Sequence, residues 1–257
     1  MLGRLGRYLD PQPEDLVLEI GAGHGALSTI IAPNVSRLIA VELDPDCLLA
    51  LAQALRPYPS VVIVAGDILE LDLRELLAGY LSRQQQLRIA GNLPYNIATP
   101  IIERLLYLRV PVADMMFLVQ LEVAQRIIAR PRTRQYGYFS VLCQHLAEVQ
   151  MGFKIPPDCF FPRPKVTSAV VSLQPKRERW NEGLEAVFSQ FTKAAFSHRR
   201  KKLANSLRQD PQIGPATEAI LSEAHIDGAR RAEELTVEEY EHLAQVCWKH
   251  LPKVRHA

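Results

Sequence analysis

Up to about Gln174 the chain alternates short β-branched runs with helical stretches. This alternation constrains the fold most, because it is the pattern of a parallel sheet covered by helices. Strands are predicted at Leu16 to Ile20, Arg37 to Glu42, Val61 to Ala65, Leu87 to Gly91, Asp114 to Gln120, Glu148 to Lys154 and Ser168 to Leu173. Helical periodicity covers Ala26 to Ala32, Pro45 to Leu55, Leu73 to Tyr80, Thr99 to Arg109 and Leu121 to Ala129, with Asp44, Asp72 and Thr99 as N-terminal caps. The pattern then changes. Gln174 to Asn181 is polar and strongly charged, and the remainder of the chain is helical in pattern without a strand. The expected organisation is an α/β domain over 1–175, a mostly parallel seven-stranded sheet with helices on both faces, and a small all-α domain over 176–257.

Composition narrows the class. The 257 residues, 23% of them charged, contain no apolar run approaching the roughly 18 residues of a membrane helix. Neither a signal peptide nor a transit segment opens the chain, so a soluble, cytoplasmic protein is expected, with no membrane partner. Cys47, Cys143, Cys159 and Cys247 lack any CxxC spacing, so neither a disulfide framework nor a metal site is expected. The net charge of +2 is too small to imply a polyanionic partner by itself; its distribution matters more.

Four signals fall at strand ends. Glu19, Ile20, Gly21, Ala22, Gly23, His24 and Gly25 close the first strand and form the turn after it, and such glycines allow positive φ and close backbone approach to a ligand. Alone, this turn reads equally as a dinucleotide fingerprint or a simple tight turn. Glu42 ends the second strand, where it could accept ribose hydroxyls, as it would in a nicotinamide enzyme too. Asp67 ends the third, within Gly66, Asp67 and Ile68. After the fourth come Asn92, Leu93, Pro94 and Tyr95. In that tetrapeptide the Asn92 side-chain oxygen and the Leu93 carbonyl can each accept one hydrogen of an amine conjugated to an aromatic ring, such as N6 of adenine, turning its lone pair toward an electrophile. Pro94 fixes the backbone and Tyr95 offers a ring face for stacking. A nicotinamide enzyme has no need of these residues.

Two stretches farther along the chain are basic. Arg126, Arg130, Arg132 and Arg134 lead to Tyr136 and Tyr138, and a basic helix from Phe196 to Leu207 carries Arg199, Arg200, Lys201 and Lys202. Either stretch reads as a solvated surface or as a nucleic-acid contact, with aromatic side chains available for stacking.

With these motifs in order, the chain resembles the small-subunit ribosomal RNA adenine dimethyltransferases, which use S-adenosylmethionine. The likeness takes in Glu19 to Gly25, Glu42, Gly66 to Ile68 and Asn92 to Tyr95, then Tyr136, Gly137, Ser140 and Val141. It continues through Ile155 to Pro157, Phe160 to Val166 and Ser168 to Val171, and ends in Phe196, Arg199 to Lys202 and Asn205 to Leu207. It implies a Rossmann-like class I methyltransferase domain and a C-terminal helical domain that binds RNA or the ribosome. It also implies cofactor contacts from Glu19, Gly21, Ala22, Gly23, Gly25, Glu42, Leu43, Asp67, Ile68 and Asn92, with the glycines at the methionine end, Glu42 at the ribose, and Asp67 and Ile68 at the adenine. Asn92, Leu93, Pro94 and Tyr95 would hold the target adenine, with Phe160 as a second aromatic wall. One of Phe160 and Phe161, more readily Phe161, would instead pack in the core. Arg199, Arg200, Lys201 and Lys202 would meet RNA. His24 receives no catalytic role.

The activity so implied is dimethylation of N6 on two adjacent adenines near the 3′ end of small-subunit RNA. The partner would be that RNA or an immature 30S particle, bound by a monomer. Two alternatives stay open: a large-subunit adenine methyltransferase of the macrolide-resistance type, and a ribosome-assembly factor with weak or lost catalysis. Family members usually carry a Gly-Gln-Asn-Phe-Leu type segment ahead of the first glycine strand. Here Met1 to Asp10 leads almost directly into Leu16, which implies weak cofactor binding and poor methylation by the chain as written.

Overall fold

A computed structural model describes residues 1–81, 85–160 and 163–251. Its strands are β1 (Leu16–Ile20), β2 (Arg37–Glu42), β3 (Val61–Ala65), β4 (Leu87–Asn92), β5 (Val112–Gln120), β6 (Ala147–Ile155) and β7 (Ser168–Pro175). They form one seven-stranded sheet in the order β3-β2-β1-β4-β5-β7-β6. Strands β1 to β5 are parallel, and β7 runs antiparallel to both β5 and β6. From β1 the chain proceeds outward to β2 and β3, whereas β4 lies on the other side of β1 and leads on to β5. The carboxyl ends of β1 and β4 therefore flank the point where the strand order reverses, which is where sheets of this kind leave a crevice for ligands.

The helices are α1 (Leu2–Leu9), α2 (Ser28–Ile31), α3 (Pro45–Leu55), α4 (Leu73–Ala78), α5 (Ala98–Leu106), α6 (Leu121–Ile127), α7 (Tyr138–Leu146), α8 (Glu182–Phe196), α9 (Leu203–Leu207), α10 (Thr217–Glu223) and α11 (Val237–His250). Val17, Leu38, Ala40, Ala90, Met116, Leu118 and Val170 alternate along their strands and face one cluster with Leu5 and Leu9 of α1, Ile31 of α2, and Leu51 and Leu55 of α3. Their neighbours Leu16, Leu18, Ile20, Ile39, Val41, Ile89, Phe117 and Val171 point the other way and are buried too. Burial on both sides explains why the central strands are apolar runs without alternation.

The chain divides into two compact units, 1–124 with 147–175, and 125–146 with 176–257. At 175, where a single boundary is expected from the sequence, the chain does leave the sheet unit. Residues 125–146, expected with the sheet, pack in the helical unit instead. Within that unit the Tyr136 hydroxyl donates to the Leu235 carbonyl at 2.9 Å, and His145 stacks on Phe188 with ring centres 3.9 Å apart.

Several helix ends differ from expectation. Asp44 and Asp72 cap α3 and α4 as predicted, accepting from Asp46 N, and from Arg74 N and Glu75 N. Thr99 is not a cap. The turn that brings Ile97 N to the Pro94 carbonyl (3.2 Å) already starts the helix at Ala98, so Thr99 lies in its first turn. The basic segment is not one helix: α8 stops at Phe196, where Ser197 returns its hydroxyl to the Ala194 carbonyl (2.7 Å), and α9 begins only at Leu203. Helices α1 and α7 are additions to the expected elements, although in α1 Leu5 and Leu9 carry an i, i+4 signal with arginines on the other side.

Candidate functional site

The loop after β1 is built on left-handed glycines: φ is 69° at Gly21, 55° at Gly23 and 84° at Gly25, a region that costs a residue with a Cβ about 1 kcal/mol or more. A Cβ at Gly21 would sit 3.4 Å from the Asn92 carbonyl oxygen and 3.7 Å from Pro94 Cδ, so the glycine turn and the tetrapeptide meet. A Cβ at Gly23 would meet nothing within 4 Å, so the space beside it is open. Ala22 is buried in the core cluster, and its N–H donates to the Val41 carbonyl at 3.2 Å. His24 is exposed.

Glu42 ends β2 as a backbone clamp. Its Oε2 accepts from Gly23 N at 2.6 Å, and its Oε1 accepts from Leu43 N and Asp44 N at 2.8 Å each. Three donors satisfy most of a carboxylate's acceptor capacity, leaving one position on Oε2. Beside it Leu43 is 57% exposed, a large apolar surface at the sheet's carboxyl edge. Asp67 is half-buried, with Oδ1 accepting from Leu69 N at 2.8 Å, and Ile68 is buried.

Glu19 differs from these. It is 1% exposed, Oε2 has no hydrogen-bond partner among the described residues, and neither has the buried Ser28 Oγ. Burial is the main cause that pushes the Glu19 carboxyl up to about 8; the adjacent Ser28 hydroxyl and N–H partly offset it, and the Glu42 charge adds to it. Glu19 is thus protonated at neutral pH. It lies in the layer beneath the turn, and nothing in the sequence pattern signals that it differs in protonation from Glu42 and Asp67.

The tetrapeptide continues β4. Gly91 permits the close approach, since a Cβ there would lie 2.5 Å from the Ile20 carbonyl oxygen. Asn92 is exposed, and its side-chain amide has no hydrogen-bond partner among the described residues. Leu93 is the anchor: its side chain is buried and its N–H donates to the Leu118 carbonyl at 3.1 Å. Pro94 is exposed. The Tyr95 hydroxyl is 2.7 Å from Ser168 Oγ, a buried group at the start of β7. Ser168 pairs with Gln120 on one side and Ile155 on the other, so this bond fixes the tetrapeptide to the strand end from which the Phe160 segment departs. Sequence reasoning misses Ser168 and Gly91 as site-building residues. A glycine inside a strand is the available signal for Gly91, and none exists for Ser168.

Phe160 closes a 3₁₀ turn over Pro157–Cys159 and is partly buried against the core cluster. Part of its ring therefore packs, a share expected more readily of Phe161, which with Pro162 lies outside the described residues.

In the helical unit the basic stretches correct two expectations. Tyr136 is fully buried, its hydroxyl bonded and held well above the usual tyrosine range chiefly by burial, so it is no stacking platform. Tyr138 bonds Ser189 Oγ at 3.1 Å and carries Lys193 over its ring at 4.9 Å. Arg200, Lys201 and Lys202 are exposed as expected. Arg199 is committed internally: Nε donates to Glu233 at 2.8 Å, and one terminal nitrogen donates to the carbonyls of Arg134 (2.6 Å), Tyr136 (3.0 Å) and Thr133 (3.3 Å). Among the described residues no group of His, Cys, Asp and Glu is placed to hold a metal, and no helix is long and apolar enough to cross a membrane.

A parallel sheet with its order reversing between β1 and β4, one antiparallel strand near its edge, and a glycine turn facing the Asn-Leu-Pro-Tyr segment define a Rossmann-like class I methyltransferase. The family model for ribosomal RNA adenine dimethylase matches residues 6–249, and the chain belongs to that family. It is an S-adenosylmethionine-dependent enzyme, as the family is. Over 249 residues it is 39% identical to the ribosomal RNA small subunit methyltransferase A of Geobacter metallireducens, covering 95% of this chain and 90% of that protein. A dimethyladenosine transferase from Plasmodium falciparum superposes with a TM-score of 0.77 at 20% identity, over 94% of this chain and 93% of that one. The 23S rRNA methyltransferase ErmE gives 0.67 at 23% identity, over 95% and 96%. At those identities the two structures speak for the fold.

Proposed function

We propose that this chain transfers methyl groups from S-adenosylmethionine to N6 of two adjacent adenines near the 3′ end of small-subunit RNA, acting on an immature 30S particle. The observation that carries the reading is the meeting of the Gly21 turn with the Asn92 carbonyl and Pro94 at the β1/β4 crevice. The 39% identical small-subunit relative supports the substrate.

The residues fit the cofactor. Gly23 leaves open space beside the turn, Glu42 retains one acceptor position for a ribose hydroxyl, exposed Leu43 offers an apolar face to a purine, and Asp67 keeps Oδ2 for an exocyclic amine. When bound, S-adenosylmethionine supplies an electrophilic methyl group on a sulfonium.

The chain's own part is to orient the acceptor. Asn92 Oδ1 and the Leu93 carbonyl accept the two amino hydrogens of the adenine, drawing the nitrogen toward tetrahedral geometry and aiming its lone pair. The buried Leu93 side chain and its N–H bond to Leu118 keep that carbonyl in position. Pro94 limits backbone freedom, and Tyr95, tethered at Ser168, supplies the stacking face, with the exposed part of Phe160 as its counterpart. No base is required before transfer. Once the nitrogen has gained a methyl group it is acidic and gives its proton to water, and the process repeats for a second methyl.

The test is nucleoside mass spectrometry after incubation with labelled cofactor and 30S particles that lack the modification, with free 23S RNA in a parallel reaction. N6,N6-dimethyladenine in the 30S reaction alone is expected. Product only on 23S RNA would overturn the substrate, and cofactor binding without product on either would favour an assembly factor.

A further inference from the structure

Arg199 stands in a run of four cations but differs from its neighbours. Its side chain bonds three carbonyls, of Thr133, Arg134 and Tyr136, and pairs with Glu233. Glu233 holds the same segment a second way, its carbonyl accepting from Arg132 N at 2.7 Å. Between these ties Arg132 adopts φ 67°, a conformation rare outside glycine that persists only where surroundings impose it. The result is a turn with Arg130, Arg132, Thr133 and Arg134 all exposed. Three of the nearby acids are engaged: Glu233 with Arg199, Glu239 with Arg230 at 2.5 Å while also close enough for the Arg132 charge to act on it, and Glu234 with the Arg231 N–H at 3.0 Å. Arg132, Arg134, Arg200, Lys201 and Lys202 form no ion pair among the described residues.

We propose that Arg199 is a positioning residue and not an RNA contact, and that it sets the Arg132 turn beside the Arg200–Lys202 segment as one phosphate-binding surface for structured RNA. The backbone of Arg134 lies within hydrogen-bond reach of the Arg199 side chain, so the two cationic segments are adjacent by construction. A surface rich in guanidinium and ammonium groups, with the flanking Glu233 and Glu239 carboxylates paired to Arg199 and Arg230, suits the phosphate backbone, whose affinity comes from counterion release and carries no base sequence. Arginine matters at position 199 because one rigid planar group donates from Nε to Glu233 and from a terminal nitrogen to the carbonyls at once, whereas an ammonium donates from a single atom on a flexible stem.

The inference rests on the reading of an RNA substrate, and equilibrium binding to unmodified 30S particles over a series of KCl concentrations tests it. Arg132→Ala combined with Arg134→Ala is expected to weaken binding at least several-fold and lower the salt slope by about two, roughly one for each phosphate no longer neutralised. Arg199→Lys keeps the charge yet is expected to lose affinity and salt slope toward the double variant, with faster hydrogen exchange at the amides of 132–136. Wild-type affinity and slope for Arg199→Lys, or for the double variant of exposed residues, overturns the proposal. A wild-type chain that binds 30S particles with the expected slope but leaves adenine unmethylated would contradict the proposed reaction and leave this surface standing.

Discussion

Glu42 accepts three backbone N–H groups, one from the glycine turn and two from the residues just past β2. Glu42→Gln keeps the shape but puts an NH₂ where an acceptor is needed, so at least one backbone donor loses its partner, at a cost of about 1–3 kcal/mol. Calorimetry is expected to show S-adenosylmethionine binding weakened tenfold or more, with a lowered unfolding midpoint. Glu19 behaves in the opposite sense. Its folded-state value of about 8 lies above the ordinary 4.5, so between those values the native state holds a proton that the unfolded state has released. Its stabilising contribution is complete below pH 4.5 and is lost as pH rises toward 8, by up to roughly 1.4 kcal/mol per pH unit. Glu19→Gln is expected to remove that loss. Denaturant titrations at pH 5 and pH 8 should find the variant gaining on the wild type at the higher pH, and parallel stabilities at both would refute the assignment. Tyr95→Phe removes only the tether to Ser168 and keeps the ring, so methyl transfer is expected to fall several-fold, whereas Tyr95→Ala should fall much further.

Among the elements, β1, β2, β3 and α3 coincide with the sequence reading to the residue. Buried parallel strands give unbroken apolar runs, and Asp44 gives an unambiguous cap. What is illegible has tertiary causes. Helix α5 starts at Ala98 because the tetrapeptide's own turn nucleates it. The Phe196 to Leu207 stretch breaks because Ser197 bonds backward and Leu203 N reaches the Arg230 carbonyl at 2.7 Å, a partner remote in sequence. Gly91→Ala is the sharpest test at this scale. A Cβ would fall 2.5 Å from the Ile20 carbonyl, backbone against backbone, and a loss of roughly 2–4 kcal/mol in unfolding free energy is expected.

For the molecule as a whole, the strand ends are legible because each carries one chemical residue type at an even spacing. The glycine turn, Glu42, Asp67 and Asn92 stand at the carboxyl ends of successive strands, and the fold needs only the β1/β4 reversal to gather the first and last of them. Long-range partnerships are not legible. The Tyr95–Ser168 tether, the internal use of Arg199, the burial of Tyr136 and the membership of 125–146 in the helical unit all depend on residues far apart in the chain. At the centre of the proposed mechanism the Asn92 side chain orients an adenine amine, while its backbone carbonyl faces the Gly21 turn. The most direct test is the single-turnover rate of methyl transfer to unmodified 30S particles by Asn92→Ala at saturating S-adenosylmethionine. The expected result is a fall of about 10²-fold or more, with the calorimetric cofactor affinity within a few-fold of wild type; a single-turnover rate within twofold of wild type would contradict it.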